Sequence, residues 1–395
     1  MKTIVILDGQ TSAGLAFIRS LGRAGYRIIV GVNSQSFAPS LSSRYCHGSF
    51  RYPNPMENTN AFIDHIKGEA ERLQCDLIVP ITGATIWPLI LFSGEFTSFT
   101  KLAVPVKGAV DVVDDKYATL SLAGEIGIKT PDTILVKNIN NLNVLSDFDY
   151  PVVIKDRFSI RWENNKGIPG TVRYAYSKEE LMNIVGSRLG YVGDLLVQKF
   201  TGGVGIGFSC FTIDGNVYLP FQWKRLRETD PRGSGSSARL SIDLDHEIVE
   251  KSKELILRTG YQGISMVEFK QDKKTKEYCL MEINGRPWGS IQLPIHCGID
   301  YPLHFINWIF YNRKPPMEIP YKKRINCRWL TADLVHLENL WNGKPTGWPY
   351  DYPIFLINFL KVCIPWYPGL RYDDFSLYDP VPGVVGLKDW IKRHV

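Results

Sequence analysis

Two short runs of strand-forming residues, 265–270 and 279–284, constrain this chain more than any other feature of its sequence. Both runs are apolar, and the polar insert 271–276 between them has the composition of a turn, so the pattern predicts an antiparallel hairpin. Glu268 lies seven residues before Thr275, and Glu282 lies seven residues after it. In an unbulged antiparallel hairpin centred on Thr275, their carboxylates therefore face each other directly on one side of the sheet.

Two further side chains, those of Asn284 and Arg286, share that face, because residues two apart on a strand point to the same side. Like charges directly opposite each other destabilise a sheet unless a cation lies between them. Two carboxylates and one amide oxygen suit magnesium carried by a nucleotide phosphate better than zinc or iron. The planar guanidinium of Arg286 can reach the same phosphates. A surface hairpin with solvated acids is the alternative, and the convergence of four such groups favours the metal site.

The composition is ordinary for a globular enzyme and argues against several other classes. The chain has 395 residues, of which 44% are hydrophobic and 22% are charged, and this length favours two to three domains. A net charge of +6 is compatible with anionic small molecules, and no Lys/Arg block interleaved with aromatic residues indicates nucleic-acid binding. Seven scattered cysteines without a Cys-x-x-Cys motif, and an N-terminal apolar run that ends at Asp8, predict a cytoplasmic protein with reduced thiols.

Strand and helix patterns alternate in the N-terminal third, which predicts a parallel sheet. Residues 3–7 have the pattern of a buried strand, a helix is predicted over about 13–24, and a second strand over 27–32. A dinucleotide site is disfavoured, because the first turn lacks the Gly-x-Gly-x-x-Gly spacing and no acid closes the second strand. The turn 82–85 lies where such sheets bind ligands, and a plain strand-to-helix turn explains it equally well.

Glu268 and the run Met-Glu282-Ile-Asn284-Gly-Arg286-Pro resemble the metal-binding end of the ATP-grasp superfamily, whose usual form is Glu…Glu-x-Asn-x-Arg. The resemblance covers residues 1–312 and implies an α/β fold, in which a Rossmann-like parallel sheet precedes a two-subdomain α+β module that holds ATP between antiparallel sheets. It also implies that Glu268, Glu282 and Asn284 hold Mg²⁺, with Mn²⁺ as the alternative. The expected parts are a Rossmann-like domain over 1–110, a small ATP-grasp subdomain with a lid loop over 111–190, a catalytic subdomain over 191–312, and a Trp- and Pro-rich C-terminal region over 313–395.

Two lysines are the expected phosphate ligands. The phrase from Asp115-Lys116 to Thr130-Pro131 is similar to the beginning of the ATP-grasp module, where the lysine reaches the nucleotide phosphates. Lys155 ends an apolar strand beside a loop, which gives it the reach for an α-phosphate, and the family has its second phosphate-contacting lysine there. From the residues alone, a solvated helix lysine and a strand-end lysine that extends to solvent are the alternatives.

The loop 156–170 departs from the family pattern. The family has a mobile glycine-rich loop that closes on the phosphates, whereas this chain has glycine only at positions 167 and 170. The departure weakens phosphate binding by backbone amides and indicates that side chains such as Arg161 or Lys166 take their place. A lid that closes there would protect an acyl phosphate from water.

The run Gln198-Lys199-Phe200-Thr201 resembles the hinge of the family, whose main chain pairs with the edge of adenine. Gln198 replaces the usual acid, so the resemblance carries over the backbone contacts and not the side-chain contact. Backbone donors and acceptors at a hinge can satisfy adenine when they are not already paired in a ladder.

Five cations are concentrated beside a Gly/Ser-rich loop, namely Lys224, Arg225, Arg227, Arg232 and Arg239. We expect Lys224, Arg225 and Arg239, together with Arg286, to stabilise the charge of a transferred phosphoryl group. A bidentate grip on a substrate carboxylate and a solvated basic loop are the alternatives.

The segment Tyr352–Trp366 is strongly apolar but shorter than a helix that spans a bilayer. With Trp390 and the basic run 392–394 nearby, it is compatible with peripheral contact in a membrane interface. We favour packing on the catalytic body or a homodimer contact over that alternative. The family pattern gives no match in this region.

These features together predict an ATP-dependent carboxylate–amine (or carboxylate–thiol) ligase with small-molecule substrates, of which amino acids or peptides are the commonest for such ligases. A carboxylate attacks the γ-phosphorus and an amine captures the acyl phosphate, so the reaction needs no protein nucleophile. The rival predictions are a bicarbonate-using carboxylase, a kinase-like enzyme that stops at phosphoryl transfer, and a non-catalytic nucleotide-binding or membrane-docking protein.

Overall fold

The computed structural model of the protein describes residues 1–140 and 149–394. The N-terminal elements are β1 (Thr3–Ile6), α1 (Ser12–Arg23), β2 (Arg27–Asn33), β3 (Gly48–Tyr52), α2 (Thr59–Arg72), β4 (Leu77–Val79), α3 (Gly83–Leu91) and β5 (Lys101–Leu102). The strands form a parallel sheet in the order β3-β2-β1-β4-β5, which confirms the predicted Rossmann-like parallel sheet.

Both faces of this sheet are covered, and the side chains of β1 show how. Ile4 and Ile6 belong to the core cluster that contains α1, whereas Val5 and Leu7 belong to the cluster that contains α2. A central parallel strand is buried on both faces, so it reads as a continuous apolar run in the sequence.

Asp8, at the end of β1, is hydrogen-bonded to the turn that follows β4. Its buried carboxylate accepts hydrogen bonds from the amides of Ile81 and Thr82 at 3.2 and 2.8 Å and from the Thr85 hydroxyl at 2.6 Å. The Tyr52 hydroxyl donates to the other carboxylate oxygen at 3.0 Å. These bonds support the interpretation of residues 82–85 as a structural strand-to-helix turn.

The next elements, which we call the small subdomain, are α4 (Lys107–Asp114), α5 (Lys116–Glu125), β6 (Thr133–Val136), β7 (Val152–Asp156), β8 (Ile160–Glu163), β9 (Lys166–Pro169), β10 (Val172–Ala175), α6 (Lys178–Val192) and β11 (Leu195–Lys199). An antiparallel sheet with the order β10-β7-β11-β6 packs against α6, and β8 and β9 form a separate hairpin. Asp115 divides α4 from α5 as the N-cap of α5, because its carboxylate accepts from the amides of Tyr117 and Ala118.

The remaining elements build the catalytic sheet and its cover. They are β12 (Val204–Ile213), β13 (Asn216–Glu228), β14 (Ser236–Ser241), α7 (His246–Arg258), β15 (Gly263–Gln271), β16 (Tyr278–Asn284), α8 (Gln292–Cys297), α9 (Tyr301–Tyr311), β17 (Asn326–Arg328), α10 (Leu330–Trp341), α11 (Phe355–Cys363), β18 (Leu370–Tyr372) and α12 (Val381–His394). The seven strands have the order β16-β15-β12-β13-β14-β17-β18. The C-terminal region therefore extends the catalytic sheet by two strands.

Buried ion pairs attach this C-terminal region to the rest of the protein. Arg19 of α1 donates to Asp379 at 2.8 Å and to the carbonyl of Asp373 at 2.9 Å. On the catalytic sheet, Arg227 pairs with Asp333 of α10 at 2.6 Å, and both side chains are almost fully buried. The C-terminal region thus joins the N-terminal domain to the catalytic sheet.

The apolar segment Tyr352–Trp366 forms α11, which packs on α10 through one side only. Asn358 and Val362 are its two buried helical residues, while most of its other apolar side chains are exposed. The expectation that this segment packs on the catalytic body therefore holds for a minor part of its surface. Within residues 1–140 and 149–394, the helices are too short or too polar to cross a membrane.

Candidate functional site

Glu268 and Glu282 are directly paired across β15 and β16, as the sequence predicts. The expected unbulged geometry is wrong, because Phe269 pairs with Leu280 and leaves Met281 as an extra residue on β16. The turn of the hairpin is therefore displaced from its predicted centre. The bulge brings the two acids back into register.

Asn284 lies on the same face as these acids at the end of β16. Its Nδ2 donates to Oε1 of Glu282 at 2.9 Å, which leaves the amide oxygen as a potential ligand. Gly285 follows in a narrow passage, where a Cβ would lie 2.6 Å from Val113 and 2.8 Å from Tyr261. Glycine is therefore required between Asn284 and the arginine that follows.

The guanidinium of Arg286 lies near the buried carboxylate of Asp114, which also accepts a hydrogen bond from Trp87 at 2.6 Å. Burial raises the pKa of Asp114, and the Trp87 hydrogen bond and the charges of Arg286 and Lys116 oppose the effect. Arg286, Lys116 and Glu282 influence one another electrostatically, so they form one charged cluster at the edge of the hairpin.

The two paired carboxylates have opposite pKa shifts. Burial raises the pKa of Glu268, although the charge of Arg225 opposes it. Burial acts on Glu282 in the same sense, but the positive charge of Lys116 and the hydrogen bond from Asn284 outweigh it and lower the pKa. Glu282 therefore carries a firmly ionised charge, while Glu268 depends on a neighbouring cation.

Lys116 and Lys155 approach Glu282 from the small subdomain. Lys116 is the first residue of α5, and its Nζ donates to the Ser159 hydroxyl at 3.2 Å. Burial lowers the pKa of both lysines, and in each case the strongest opposing influence is the charge of Glu282. The structure thus brings both predicted phosphate ligands to the predicted metal ligands.

Arg225 on β13 contacts two acids of the catalytic sheet, Glu268 and Glu228. It forms an ion pair with Glu268 and donates to Glu228 at 2.9 Å, and Lys270 donates to Glu228 at 2.9 Å. Its methylenes lie against Gly205, where a Cβ would approach them to 2.5 Å. Lys270, Glu228, Arg225 and Glu268 therefore form a row of alternating positive and negative charges.

Glu228 and Lys270 were not among the predicted site residues. Lys270 lies two residues beyond Glu268 on β15, so the period-two rule was sufficient to place it on the same face. Glu228 reaches the site because β13 is irregular between Arg225 and Glu228. No pattern in the sequence signals that irregularity.

Two of the expected catalytic cations need correction. Lys224 is adjacent to Arg225 on a regular part of β13, so it faces the opposite side, where its neighbour Ile206 packs in the core with α7. Arg239 faces the correct side but is 1% exposed and forms an ion pair with buried Asp373. Arg239 therefore has a structural role, because its ion pair with Asp373 links the C-terminal region to the catalytic sheet.

The other cations of this run also have acidic partners. Arg227 pairs with Asp333 at 2.6 Å, and Arg232 pairs with Asp230 at 2.7 Å. Arg227 is therefore buried, whereas Arg232 and Asp230 are each 29% exposed, so a solvated loop stays the alternative for Arg232. Of the five cations, Arg225 is the one that the structure places against the hairpin acids.

The lid region is a β8–β9 hairpin that rests on the N-terminal domain. Asn164 and Asn165 have positive φ angles of 49° and 58°, as a tight two-residue turn requires. The carbonyl of Asn165 accepts from the Thr59 hydroxyl at 2.9 Å. Arg161 lies 3.3 Å from Glu163 and packs against Gly193, so its contact with phosphate stays a prediction.

The predicted hinge divides into a paired part and a part beyond the strand. Gln198 is buried and donates to the Thr133 hydroxyl at 2.9 Å, and the Lys199 amide donates to the Asp132 carbonyl at 3.0 Å. Phe200 and Thr201 follow β11 and line a cavity of about 450 Å³. Backbone pairing with adenine is therefore expected at these two positions.

The C-terminal region covers the hinge with an aromatic cluster that the sequence did not predict. The ring of Phe200 lies 4.7 Å from that of Trp348 and 4.4 Å from that of Tyr350, measured between centroids. Tyr174 of the small subdomain packs edge-on against Trp348 at 5.7 Å. A loop of the C-terminal region therefore contacts both the hinge and β10.

The donor set of the hairpin fits a hard divalent cation. Glu268, Glu282 and Asn284 offer carboxylate and amide oxygens on one face, which suits Mg²⁺. In the part of the chain that the structure describes, no group of three or more His, Cys, Asp or Glu side chains could hold a metal. The amide of Asn284 is therefore needed to complete the set.

Part of the chain matches a known family. The family described as "ATP-grasp in the biosynthetic pathway with Ter operon" matches residues 192–332, a range that contains the hinge and the three expected metal ligands. No curated protein matches the sequence.

Solved structures of several ATP-dependent enzymes share the fold. The L-amino acid ligase from Bacillus licheniformis has a TM-score of 0.59 and 17% identity, over 78% of this chain and 74% of that chain. N5-carboxyaminoimidazole synthetase from Staphylococcus aureus has a TM-score of 0.62 and 17% identity, over 87% and 86%. The biotin carboxylase domain of Hydrogenobacter thermophilus 2-oxoglutarate carboxylase, solved with MgADP, ADP and bicarbonate, has a TM-score of 0.63 and 17% identity, over 82% and 73%.

Proposed function

We propose that the chain is an ATP-grasp enzyme and acts as an ATP-dependent carboxylate–amine ligase. One observation carries the proposal: Glu268 and Glu282 are paired across the hairpin, and the charges of Lys116 and Lys155 act on Glu282. Oxygen ligands beside cations form a suitable site for a metal–nucleotide complex.

The three oxygen ligands and the two lysines have separate roles in this proposal. Glu268, Glu282 and Asn284 would hold Mg²⁺, which when bound neutralises charge on the nucleotide phosphates. Lys116 and Lys155 bind the phosphates directly as point charges. Because both lysines are half-buried, their charges are less screened than those of fully exposed lysines.

The reaction that this site supports proceeds in two steps. A substrate carboxylate oxygen attacks the γ-phosphorus, the bond from that phosphorus to the bridging oxygen breaks, and ADP leaves. The amine nitrogen then attacks the carbonyl carbon of the acyl phosphate, loses a proton and expels inorganic phosphate. Arg286 and Arg225 both act on the hairpin acids, and in this proposal they would stabilise the charge of the transferred group.

A screen for ADP release over pairs of amino acids and related acids and amines tests the proposal. We expect ADP and an amide product to form in equal amounts with at least one pair. Glu282→Gln should abolish ADP release while the protein stays folded. Near-normal turnover by this variant would contradict the assignment of the metal ligands.

A bicarbonate-using carboxylase is the second candidate. It is supported by the likeness to the biotin carboxylase domain that was solved with MgADP and bicarbonate. ADP release that requires bicarbonate and yields no amide product from any amine would favour this candidate over the ligase.

A further inference from the structure

The polar residue Asn358 lies on the buried side of helix α11, and most of the apolar residues of the helix lie on its outer side. Asn358 is 8% exposed and donates to the Ile354 carbonyl at 2.9 Å, whereas Leu356 and Leu360 are 62% and 58% exposed. Phe359 is exposed as well. An amphipathic helix of a globular protein normally has the reverse orientation, so the outer surface of α11 is suited to an apolar environment.

Exposed tryptophans flank this surface. Trp341, at the end of α10, packs against Phe355 at 5.3 Å between centroids and is 75% exposed. Trp366, shortly after α11, is 68% exposed. Tryptophan is enriched at the boundary between water and the hydrocarbon of a bilayer, because its ring is apolar and its N–H is polar.

The charges within residues 352–372 are positive, and Glu338, three residues before Trp341 on α10, lies 3.7 Å from His394. Residues 352–372 contain Lys361 and Arg371, both exposed, and no acid. Arg324 is exposed too, and its carbonyl lies 3.1 Å from the Cβ position of Gly369, so it adjoins this segment. The nearest acids in the sequence have cationic neighbours, since Asp351 lies 3.5 Å from Lys273 and Asp373 pairs with Arg239.

We propose that α11, together with Trp341 and Trp366, docks on the surface of a lipid bilayer that contains anionic lipid. The helix is nine residues long, so it lies in the interface without crossing the bilayer, and its outer side chains enter the boundary between headgroups and acyl chains. Lys361, Arg371 and Arg324 remain at the level of the headgroups, where anionic lipid attracts them. This proposal is independent of the enzymatic activity.

A second copy of the chain is a less suitable occupant of the same surface. In a two-fold symmetric contact each patch meets its own copy, so Lys361 and Arg371 would lie against the same cations of the other subunit. Residues 352–372 provide no acid to compensate them. A bilayer with anionic headgroups supplies that charge.

Sedimentation of the full-length protein with vesicles tests the proposal. We expect binding to vesicles of phosphatidylcholine and phosphatidylglycerol, and weaker binding to vesicles of phosphatidylcholine alone. The double variant Leu356→Ser/Phe359→Ser should lower the partition coefficient at least about tenfold, because two large apolar side chains no longer enter the bilayer. Lys361→Gln should lower binding about fivefold, with the anionic vesicles only.

The matched control is Val172→Ser/Leu257→Ser, which removes two exposed apolar side chains far along the chain from α11. It should bind vesicles as the unmodified protein does. All replaced side chains are exposed, and thermal unfolding verifies that each variant is folded. Absence of vesicle binding, or equal losses in both double variants, would overturn the proposal. A lipid-free dimer that Leu356→Ser/Phe359→Ser dissociates, without vesicle binding, would assign the surface to a second copy.

Discussion

Arg225 and Glu268 form a largely buried ion pair, on the sheet face where Glu268 is directly opposite Glu282. The guanidinium thus provides the positive charge that two opposed carboxylates require. A divalent cation held by Glu268 would have to replace this contact. Arg225 would then be free to act on the phosphates beside the metal.

Replacing Arg225 tests this relationship. Arg225→Met leaves a buried carboxylate without its partner, which typically costs about 3–5 kcal/mol. We expect a loss in the free energy of unfolding near the lower end of that range, since the Glu268 side chain is 19% exposed. Chemical denaturation measures it, and MgCl₂ with ATP should restore more stability to the variant than to the unmodified protein.

Lys224→Met is the matched control on the opposite face of the same strand. It should change the free energy of unfolding by about 0.5 kcal/mol or less, as is usual outside such networks. If both variants lose the same stability and respond equally to MgCl₂ with ATP, Arg225 is not the partner that a metal replaces.

Lys116→Met should weaken ATP binding and stabilise the protein. Loss of a charged phosphate ligand lowers affinity roughly 10- to 100-fold, which calorimetry measures. Burial lowers the pKa of Lys116, so the unfolded state binds its proton more tightly than the folded state does. The charged lysine therefore destabilises the folded protein at neutral pH, and Lys116→Met relieves that cost.

The stabilisation should depend on pH. It is fully present below the folded-state pKa of Lys116 and decreases as the pH rises from there towards the ordinary pKa of lysine. Lys323→Met, which removes an exposed lysine outside the hinge cavity, is the control and should leave ATP affinity unchanged. If Lys116→Met is less stable than the unmodified protein at neutral pH, the charged lysine does not destabilise the folded state, and the prediction is wrong.

The sequence predicted those parts of the site that depend on local periodicity. Glu268, Glu282 and Asn284 follow from the alternation of side chains along two strands, and Lys155 from its position at the end of another. The sequence did not predict the ion pair of Arg239 with Asp373, because the two residues are far apart in the chain and only folding brings them together. The contact between the rings of Trp348 and Phe200 could not be predicted for the same reason. The bulge at Met281 had no local signal, although the pairing of the acids survived it.

Arg239→Met tests whether Arg239 stabilises the fold through Asp373 without contacting the nucleotide. Removal of one member of a fully buried ion pair costs about 3–5 kcal/mol, because Asp373 is left unpaired. We expect the free energy of unfolding to fall by this amount while the folded protein binds MgATP with unchanged affinity. A large loss of affinity for MgATP without a loss of stability would instead assign Arg239 to phosphate binding.

Trp348 should contribute to both stability and nucleotide binding through Phe200. Trp348→Ala removes a side chain that is 4% exposed and should cost about 3–5 kcal/mol, with weaker ATP binding because the hinge loses its cover. Trp348→Phe retains an aromatic contact and should recover most of both. Trp341→Ala, at a 75% exposed position, should change neither. Equal ATP affinities for Trp348→Ala and Trp341→Ala would exclude a role at the hinge.

Calorimetric titration of ATP with and without Mg²⁺ tests the metal site itself most directly, because it needs no knowledge of the acid or the amine. The unmodified protein should bind ATP more tightly with Mg²⁺, and Glu282→Gln should lose at least about 100-fold of that affinity, since a metal ligand contributes several kcal/mol. Glu254→Gln, at an exposed position on α7, should behave as the unmodified protein does. Equal Mg²⁺-dependent affinities for Glu282→Gln and Glu254→Gln would contradict the account.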